Sequence, residues 1–333
     1  MRIRLAHPDD APQVIALLIK QHGKTYPNPR FYDEAWVRQG IDAGILYFAV
    51  VELPDGTLVG MAGSDAGNVF PGSLMFMLMT IVPSLRGFGL GKHLHNFLLQ
   101  IGAFDKYTCI YMHCLTLDTA SQIFCNGSGG RMTGLLMNRY IYDTETENLS
   151  GLHLPLKRTH LVSCIPKAKQ DVGVLYTPAA HTAYIEDVYE SLGAAYRLDS
   201  YEETKPRAMH SLLTITQYEY HRYCELMIKE TGRDFVSILR DVLKQYGVLE
   251  QQTFNVFVNL NDPGCPEACR VLEEQGFFFT GLQPLSGQCE YMIMHYSPHI
   301  PVPFDKIAVI QEFNKQLSYI KHKYQEAQHD RKN

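Results

Sequence analysis

The chain has 333 residues, of which 46% are hydrophobic and 20% are charged, and its formal net charge is −5. This length fits about two domains, and the composition excludes a disulfide-stapled module, a disordered chain and a collagen-like repeat. Because nonspecific nucleic-acid binding depends on a basic face, the acidic balance predicts no nucleic-acid partner, and any anion site must be local.

The sequence also predicts where the protein resides and how its cysteines behave. Its longest apolar run, residues 73–82, is half as long as the roughly 20 residues of a membrane-spanning helix, and the opening MRIRLAHPDD lacks the apolar stretch of a signal peptide. We therefore expect a cytoplasmic protein with no membrane partner. Neither Cys109–Cys114 nor Cys265–Cys269 has a second cysteine pair spaced for zinc, so we expect reduced, buried thiols and no metal.

The first elements in chain order are a strand, a helix and a hairpin. Residues 2–5 alternate as a short strand, and an aspartate at 9–10 caps a helix whose apolar residues recur at helical spacing over 14–18. A further helical stretch then leads to residues 46–63. These form two β-rich runs around the turn sequence at 54–56, which predicts a hairpin.

A central strand and a glycine-rich turn come next. Residues 73–82 are apolar in both alternating sets, which predicts a strand covered on both faces. Gly87, Gly89 and Gly91 follow at alternate positions and lead into an amphipathic helix. The remaining predicted elements of this half are strands at 107–117, 131–142 and 157–166 and a short helix at 119–126. This order describes one mixed-sheet α/β domain of about 165 residues.

The glycine turn at 87–91 has the chemistry of an anion site. Glycines between a strand and a helix let successive backbone N–H groups approach an anion without Cβ interference, and the helix dipole adds partial positive charge. Arg86 and Lys92 flank the turn and offer formal charge to a pyrophosphate. The spacing matches neither the P-loop nor the dinucleotide fingerprint, which excludes both of those nucleotide sites.

The run VPSLRGFGLG resembles the R-x-x-G-x-G signature of the GNAT superfamily, acyl-CoA-dependent N-acyltransferases in which this loop grips the CoA pyrophosphate. IRLAHPDDAPQVIALL and VELPDGTLVGMAG resemble the first strand and helix and the central hairpin of that family, so the resemblance covers residues 1–166. It implies acetyl-CoA (CoA) as cosubstrate. The cofactor-binding residues that it implies at this loop are Arg86, Gly87, Phe88, Gly89, Leu90, Gly91 and Lys92.

The resemblance further implies residues for the pantetheine arm and for the leaving thiolate. Backbone groups near Ile81 and Val82 correspond to those that pair with the arm, and Asp118 stands where an asparagine commonly contacts it. Cys125 takes the position of the tyrosine that protonates the leaving sulfur in many members. An inert core thiol is the alternative interpretation of Cys125.

Alternation along the strand at 107–117 places Tyr111 and His113 on one face with Cys109. If this face lines the acceptor cleft, His113 is the natural general base and Tyr111 a substitute acid. The alternative is a buried histidine whose ring is satisfied by a backbone carbonyl. Lys106, Arg131 and Arg139 are candidate contacts for the 3′-phosphate of CoA, and the alternative is that these charges are only solvated.

The second half of the chain resembles the first. At an offset of 147, SQIFCNGSGGRMTGL falls on ACRVLEEQGFFFTGL, and the latter resembles the family helix that ends in Gly-Phe. The same offset puts Asp234, Val236 and Ile238 at the places of the three glycines, where their side chains would displace a phosphate. We therefore expect an α/β (α+β) class protein with tandem GNAT folds, each a mixed, mostly antiparallel central sheet flanked by helices.

The predicted domains are an N-terminal acyl-CoA-binding domain at 1–168, a degenerate C-terminal copy at 169–300 and one long C-terminal helix at 301–333. The favoured function is an acetyl-CoA-dependent N-acetyltransferase that transfers acetyl directly to a primary amine, with the second copy structural or shaping the acceptor site. The alternative is a catalytically weak CoA-binding regulatory or scaffold module, because the fourth strand carries no carboxylate. The sequence leaves open whether the acceptor is a small molecule or a protein amine. It also leaves open whether the chain forms a homodimer.

Overall fold

The computed structural model describes residues 1–24, 26–67, 70, 72–149, 152–167, 169–199, 206–247 and 252–330, and only the backbone of 142–149, 152–156 and 330. Residue 168 and residues 331–333, which end the first and last predicted domains, lie outside the described residues. The chain divides into two compact units, Met1–Met112 with Tyr142–Pro155, and His113–Ile141 with Leu156–Asn333. These units do not follow the boundaries at 168 and 300, which stay predictions.

The first unit contains the predicted strand, helices and hairpin. Its elements are β1 Arg2–Leu5, α1 Ala11–His22, α2 Glu34–Asp42, β2 Leu46–Glu52, β3 Leu58–Asp65, β4 Ser73–Ile81, α3 Leu90–Leu99 and β5 Cys109–Leu115, whose end belongs to the second unit. The strands follow the order β1-β2-β3-β4-β5. Neighbours are antiparallel except β4 and β5, which are parallel. Helices α1 and α2 pack their apolar faces on this sheet and form its core with Leu18, Val37 and Phe48.

Strand β4 departs from its prediction on one face. Phe76 and Leu78 are buried as expected, but Met77 is only half-buried and Met79 is 39% exposed. A Cβ at Gly91 would lie 3.0 Å from the Met79 sulfur, so the start of α3 passes over this residue without a side chain to cover it. The prediction of cover on both faces is therefore wrong for the methionine face.

The second unit carries the rest of the chain. Its elements are α4 Ala120–Gly127, β6 Arg131–Leu149 and β7 Leu152–Pro166 (without their parts at 142–155), β8 Asp171–Tyr176, α5 Thr182–Leu192, β9 Ala195–Asp199, β10 Leu212–Tyr218, β11 Tyr223–Glu230, α6 Phe235–Tyr246, β12 Thr253–Asn259, α7 Cys265–Glu274, β13 Phe278–Gln283, β14 Tyr291–Tyr296 and α8 Asn314–Asp330. Its strands follow the order β7-β6-β13-β14-β12-β11-β10, and β8 and β9 form a separate pair. Within the described residues, every helix is too short or too polar to pass through a bilayer.

The elements repeat in the order that the sequence offset predicts. The series β11, α6, β12, α7, β13, β14 matches β4, α3, β5, α4, β6, β7, and in each series the first two strands are parallel. Strands β6 and β13 pair at Gly134 and Gly281, the residues that the offset of 147 aligns. A Cβ at Gly134 would lie 2.7 Å from the Leu282 nitrogen, so this close approach requires glycine. The mixed, mostly antiparallel fold class and its repetition are confirmed.

The C-terminal segment is not one long helix. Helix α8 begins only at Asn314, and the preceding ten residues contain two short 3-10 turns, Phe304–Lys306 and Gln311–Phe313. Between them, the Ala308 N–H donates to the Thr116 carbonyl at 2.8 Å. Some of the apolar residues predicted to form a helical stripe thus lie in an extended stretch. The backbone groups of this stretch bond to other residues of the second unit.

Candidate functional site

The turn between β4 and α3 has the backbone conformation that its glycines permit. A 3-10 turn at Pro83–Leu85 leaves β4, and Gly87 and Gly89 then adopt φ angles of 84° and 75°. Side chains disfavour this left-handed region, so glycine is strongly favoured at both positions. Gly89 directly precedes Leu90, the first residue of α3, and the turn therefore ends at the positive end of the helix dipole.

The backbone N–H groups of residues 87–92 have no acceptor within the described part of the chain. The first N–H of this region with a protein partner is that of His93, which donates to the Gly89 carbonyl at 3.2 Å. The turn also faces solvent, since Phe88 is 73% exposed. A run of unpaired donors at an exposed helix N-terminus is a site for an anion.

The equivalent turn of the second copy, residues 231–234, is half as long as the first and is closed. Its first three N–H groups donate to Asp262, Ser211 and Ala208 at 2.7, 2.9 and 3.1 Å. The Asp234 carboxylate in turn accepts the Ser211 N–H at 2.8 Å. The N–H groups that would bind a phosphate therefore already donate to other residues of the second unit.

Two cations accompany the open turn. Arg86 is exposed; its Nε donates to the Ile81 carbonyl at 2.9 Å and its Nη2 to Gln21 Oε1 at 2.7 Å. These bonds fix the guanidinium while its Nη1 has no described protein contact. Lys92 is exposed in the first turn of α3. Both predicted cations therefore lie at the turn and are accessible to a ligand.

One edge of β4 is open beside this turn. Its described pairing with β5 ends at Phe76–Met112, while its pairing with β3 continues to Ile81–Gly60. A register shift in the β3–β4 ladder coincides with Leu78, whose φ of 54° is unusual for a residue with a side chain. The bulge redirects the backbone of β4 just where its partner on the β5 side is lost.

The peptide groups of Ile81 and Val82 point in opposite directions. The Val82 N–H donates to the Val59 carbonyl on β3 at 3.0 Å, so it is not available to a pantetheine arm. Because successive peptide groups alternate along a strand, the Ile81 groups face the open edge. The Ile81 carbonyl there accepts from Arg86, and its N–H is the group that this edge offers to a ligand.

His113 is half-buried and contacts a buried polar cluster of the second unit. Arg139 Nη1 is 2.9 Å from His113 Nδ1, and Arg139 Nη2 donates to Glu225 Oε1 at 2.6 Å. The Tyr223 hydroxyl donates to the same Glu225 oxygen at 2.9 Å. Burial, together with the charges of Arg139 and His160, holds the pKa of His113 well below its usual range. Arg139 is therefore an internal ion-pair partner, and the expectation that it contacts CoA is wrong.

The Arg139 contact fixes the tautomer of His113. A guanidinium has only donors, so His113 Nδ1 must accept and the ring proton must be on Nε2. A general base needs a free lone pair, and the one on Nδ1 is occupied. His113 thus presents an N–H donor, and its partner is a guanidinium rather than the backbone carbonyl that the alternative interpretation names.

The other two predicted catalytic residues are buried. Tyr111 is fully buried in the first unit, with its ring 6.1 Å from that of Phe70. Cys125 is fully buried in the second unit, 2.7 Å from Ser163 Oγ. The hydrogen bonds from Cys114 and Ser163 lower the pKa of Cys125, and the bond to Cys125 together with burial raises the pKa of Cys114. These contacts are those of a core thiol, the alternative interpretation of Cys125.

The predicted site residues are divided between the two units. Residues 86–92 form one turn of the first unit. Asp118, in the second unit, is exposed, and its carboxylate accepts the Ala120 N–H at 2.8 Å at the start of α4. Glu225 is absent from the sequence predictions, although a carboxylate between the apolar residues of YCELMIKE is a detectable signal. Its partner Arg139 is 86 residues away in the chain, and no local pattern connects the two.

Comparison with solved structures returns acetyltransferases of the GNAT family. This chain is similar to a putative acetyltransferase from Salmonella typhimurium solved with acetyl-CoA (17% identity, TM-score 0.40, 51% of this chain and 95% of that one). It is also similar to a ribosomal-protein-alanine N-acetyltransferase from Brucella melitensis (18%, 0.39, 50% and 99%) and to a Vibrio cholerae spermidine N-acetyltransferase chimera (18%, 0.39, 50% and 96%). No protein-family model and no curated protein sequence matches the chain. Each of these three solved chains covers about half of this one.

Proposed function

We propose that the protein is an acetyl-CoA-dependent N-acetyltransferase that transfers the acetyl group directly to a primary amine. The observation that carries this proposal is the run of N–H groups at residues 87–92, which have no acceptor among the described residues and stand at the N-terminus of α3. A pyrophosphate has the charge and the oxygens that such a run of donors binds. The GNAT resemblance of the same residues points to the pyrophosphate of CoA.

Acetyl-CoA fits these residues in charge and in hydrogen bonding. The N–H groups of residues 87–92 would hold the pyrophosphate, with Arg86 Nη1 and the Lys92 ammonium as cations. The Ile81 N–H at the open edge of β4 would pair with an amide of the pantetheine arm. Acetyl-CoA supplies the activated thioester, and the protein supplies its position.

The transfer step needs little acid–base chemistry from side chains. The unprotonated amine attacks the thioester carbon, the C–S bond breaks, and the amine proton passes through water to the CoA thiolate. Backbone N–H groups at the Leu78 bulge are the candidates for stabilising the developing oxyanion. We assign no side-chain base, because the His113 lone pair is occupied by Arg139. In this proposal the second copy has a structural or acceptor-shaping role and binds no CoA.

A CoA-binding regulatory or scaffold module is the second candidate. It is favoured by the absence of a carboxylate from β4 and by the burial of Tyr111 and Cys125. These observations concern catalysis alone, so both candidates share the CoA site at residues 87–92.

Calorimetry with acetyl-CoA, paired with a thiol-release assay, separates the candidates. The assay uses a panel of a polyamine, an amino acid, an aminoglycoside and a peptide with a free N-terminus. Turnover on any of these amines supports the transferase, and binding without turnover on every amine supports the module. If acetyl-CoA does not bind to the wild-type protein, both candidates are wrong.

A further inference from the structure

Three side chains with metal-binding atoms meet in the second unit, away from the glycine turn. They are His181, Cys269 and Glu273, and their ligand atoms all lie within 4.8 Å of one another. His181 ends the 3-10 turn Ala179–His181 before α5, while Cys269 and Glu273 are one helical turn apart on α7. His181 and Cys269 are buried, and the side chain of Glu273 is 42% exposed. The cluster is therefore enclosed on one side and open to water on the other.

The protons of this cluster can be assigned from its hydrogen bonds. The Tyr319 hydroxyl donates its one proton to the Ala180 carbonyl at 2.6 Å, because a carbonyl can only accept. The same hydroxyl oxygen lies 2.7 Å from His181 Nδ1 and must therefore accept a proton from it. With Nδ1 protonated, Nε2 either carries a second proton, which makes an imidazolium–carboxylate pair, or offers a lone pair to another cation. Nε2 lies 3.0 Å from Glu273 Oε1, so a cation, either a proton or a metal ion, stands between these two atoms.

We propose that this cation is a zinc-type divalent metal ion bound by His181 Nε2, Cys269 Sγ and Glu273 Oε1, with a water molecule as fourth ligand on the exposed side. A tetrahedral zinc site has N···O separations of about 3.3 Å and S···N separations of about 3.6 Å, so small side-chain movements close the site. The thiolate and the carboxylate together carry the two negative charges that a divalent ion balances. The Nδ1–H bond to Tyr319 is the outer contact that zinc-binding histidines typically make.

The first copy shows that this helix position does not itself require such residues. At the offset of 147, Gln122 and Asn126 take the places of Cys269 and Glu273. The Gln122 amide donates to the Ala308 carbonyl at 2.8 Å and accepts the Ile310 N–H at 3.0 Å. Amides thus hold the extended C-terminal stretch in one copy, whereas the other copy has a thiol and a carboxylate. Through Tyr319, the metal would tie α7 and the turn before α5 to α8.

The test uses full-length protein that is stripped with a chelator and then titrated with zinc alone or with cobalt(II). We expect one zinc per chain and, with cobalt, the near-ultraviolet absorption of a thiolate–cobalt bond. Cys269→Ser should weaken zinc binding at least about tenfold and abolish that absorption. Cys265→Ser is the matched control, because Cys265 is an equally buried thiol at the start of the same helix that lies outside the cluster. It should leave both readouts unchanged.

Glu273→Gln provides a second variant, since this side chain is half exposed and its replacement does not threaten the fold. It should weaken zinc binding while keeping the thiolate–cobalt absorption. The proposal is overturned if the wild-type protein binds no zinc, if Cys269→Ser binds it as tightly as the wild type, or if the cobalt spectrum lacks the thiolate band. Any of these results would instead assign His181 and Glu273 to an imidazolium–carboxylate pair.

Discussion

Two strand–turn–helix segments of this chain, β4–α3 in the first unit and β11–α6 in the second, differ in the partners of their turn N–H groups. In the first unit the N–H groups of residues 87–92 have no acceptor among the described residues. In the second unit the N–H groups of residues 231–233 are bound by Asp262, Ser211 and Ala208. A parallel strand pair with its crossover helix therefore occurs both with a turn whose N–H groups are open and with a turn whose N–H groups are bonded.

The residue types follow from this difference. An open turn needs left-handed glycines to aim its N–H groups outward, as Gly87 and Gly89 do. The second turn is shorter and its N–H groups donate to other residues of the second unit, so it does not need left-handed glycines. Val236 therefore lies in the first turn of α6, where it is 47% exposed. Open N–H groups and left-handed glycines therefore occur together in the first turn, and the second turn has neither.

Gly89→Asp should give the largest effect. An aspartate there would adopt an unfavourable φ and place a negative charge among the phosphate donors, so we expect affinity for acetyl-CoA to fall more than about 100-fold, roughly 3 kcal/mol. Val236→Asp makes the same replacement at the position that the offset of 147 aligns with Gly89, which is the second residue of α6, and should change affinity less than about twofold. Calorimetry measures both, and equal effects in the two variants would contradict the comparison.

Arg139→Met should destabilise the second unit without affecting the first turn. It leaves the buried Glu225 carboxylate without its cation, which typically costs about 3–5 kcal/mol of unfolding free energy. The double variant Arg139→Met, Glu225→Leu should recover part of this loss, because no unpaired charge remains. Denaturant unfolding measures the stability. An unchanged stability in the single variant would show that the ion pair contributes nothing to the second copy.

Glu290→Gln should remove a pH dependence of stability from the second unit. Glu290 accepts bonds from the Tyr189 hydroxyl and the Leu285 N–H, each at 2.6 Å, and burial raises its pKa from 4.5 to about 7. Between these pH values the folded protein holds a proton that the unfolded chain releases, so stability falls as the pH rises from 4.5 to about 7. The loss is on the order of 3 kcal/mol. Urea unfolding at a series of pH values measures the free energy of unfolding across this range. Its decrease with rising pH should be smaller for the variant than for the wild type, and an identical decrease would refute the assignment.

His113→Gln should give the smallest effect. A glutamine can accept from Arg139 and still present an N–H donor, so we expect kcat/KM to fall less than about tenfold and the limbs of its pH profile to keep their positions. Tyr and Cys variants would not serve here, since Tyr111 and Cys125 are core residues. If kcat/KM instead fell about a thousandfold and the acidic limb of its pH profile disappeared, His113 would be the general base.

The sequence predicts local features of this protein well and distant contacts poorly. The hairpin at 46–63, the strand before the glycine turn and the repeated element order all follow from local patterns or from the self-comparison. The position of the His113 ring proton does not, because it depends on Arg139, which a different strand provides. The extended stretch before α8 has a helical apolar pattern, and its backbone partners become visible only in the fold.

The cysteines show the same limit. Spacing predicts no zinc site at Cys265–Cys269, since zinc motifs are recognised by paired cysteines near one another in the chain. Folding brings His181 to Cys269 from 88 positions earlier, and no pattern in the sequence marks that pair.

The stoichiometry of acetyl-CoA binding tests the central claim most directly. Calorimetric titration of the wild-type chain should give one site per chain, because only the first turn keeps its donors free among the described residues. The same titration of Gly89→Asp should give none. Two sites in the wild type, or one site that survives Gly89→Asp, would contradict the assignment of CoA binding to the turn at residues 87–92.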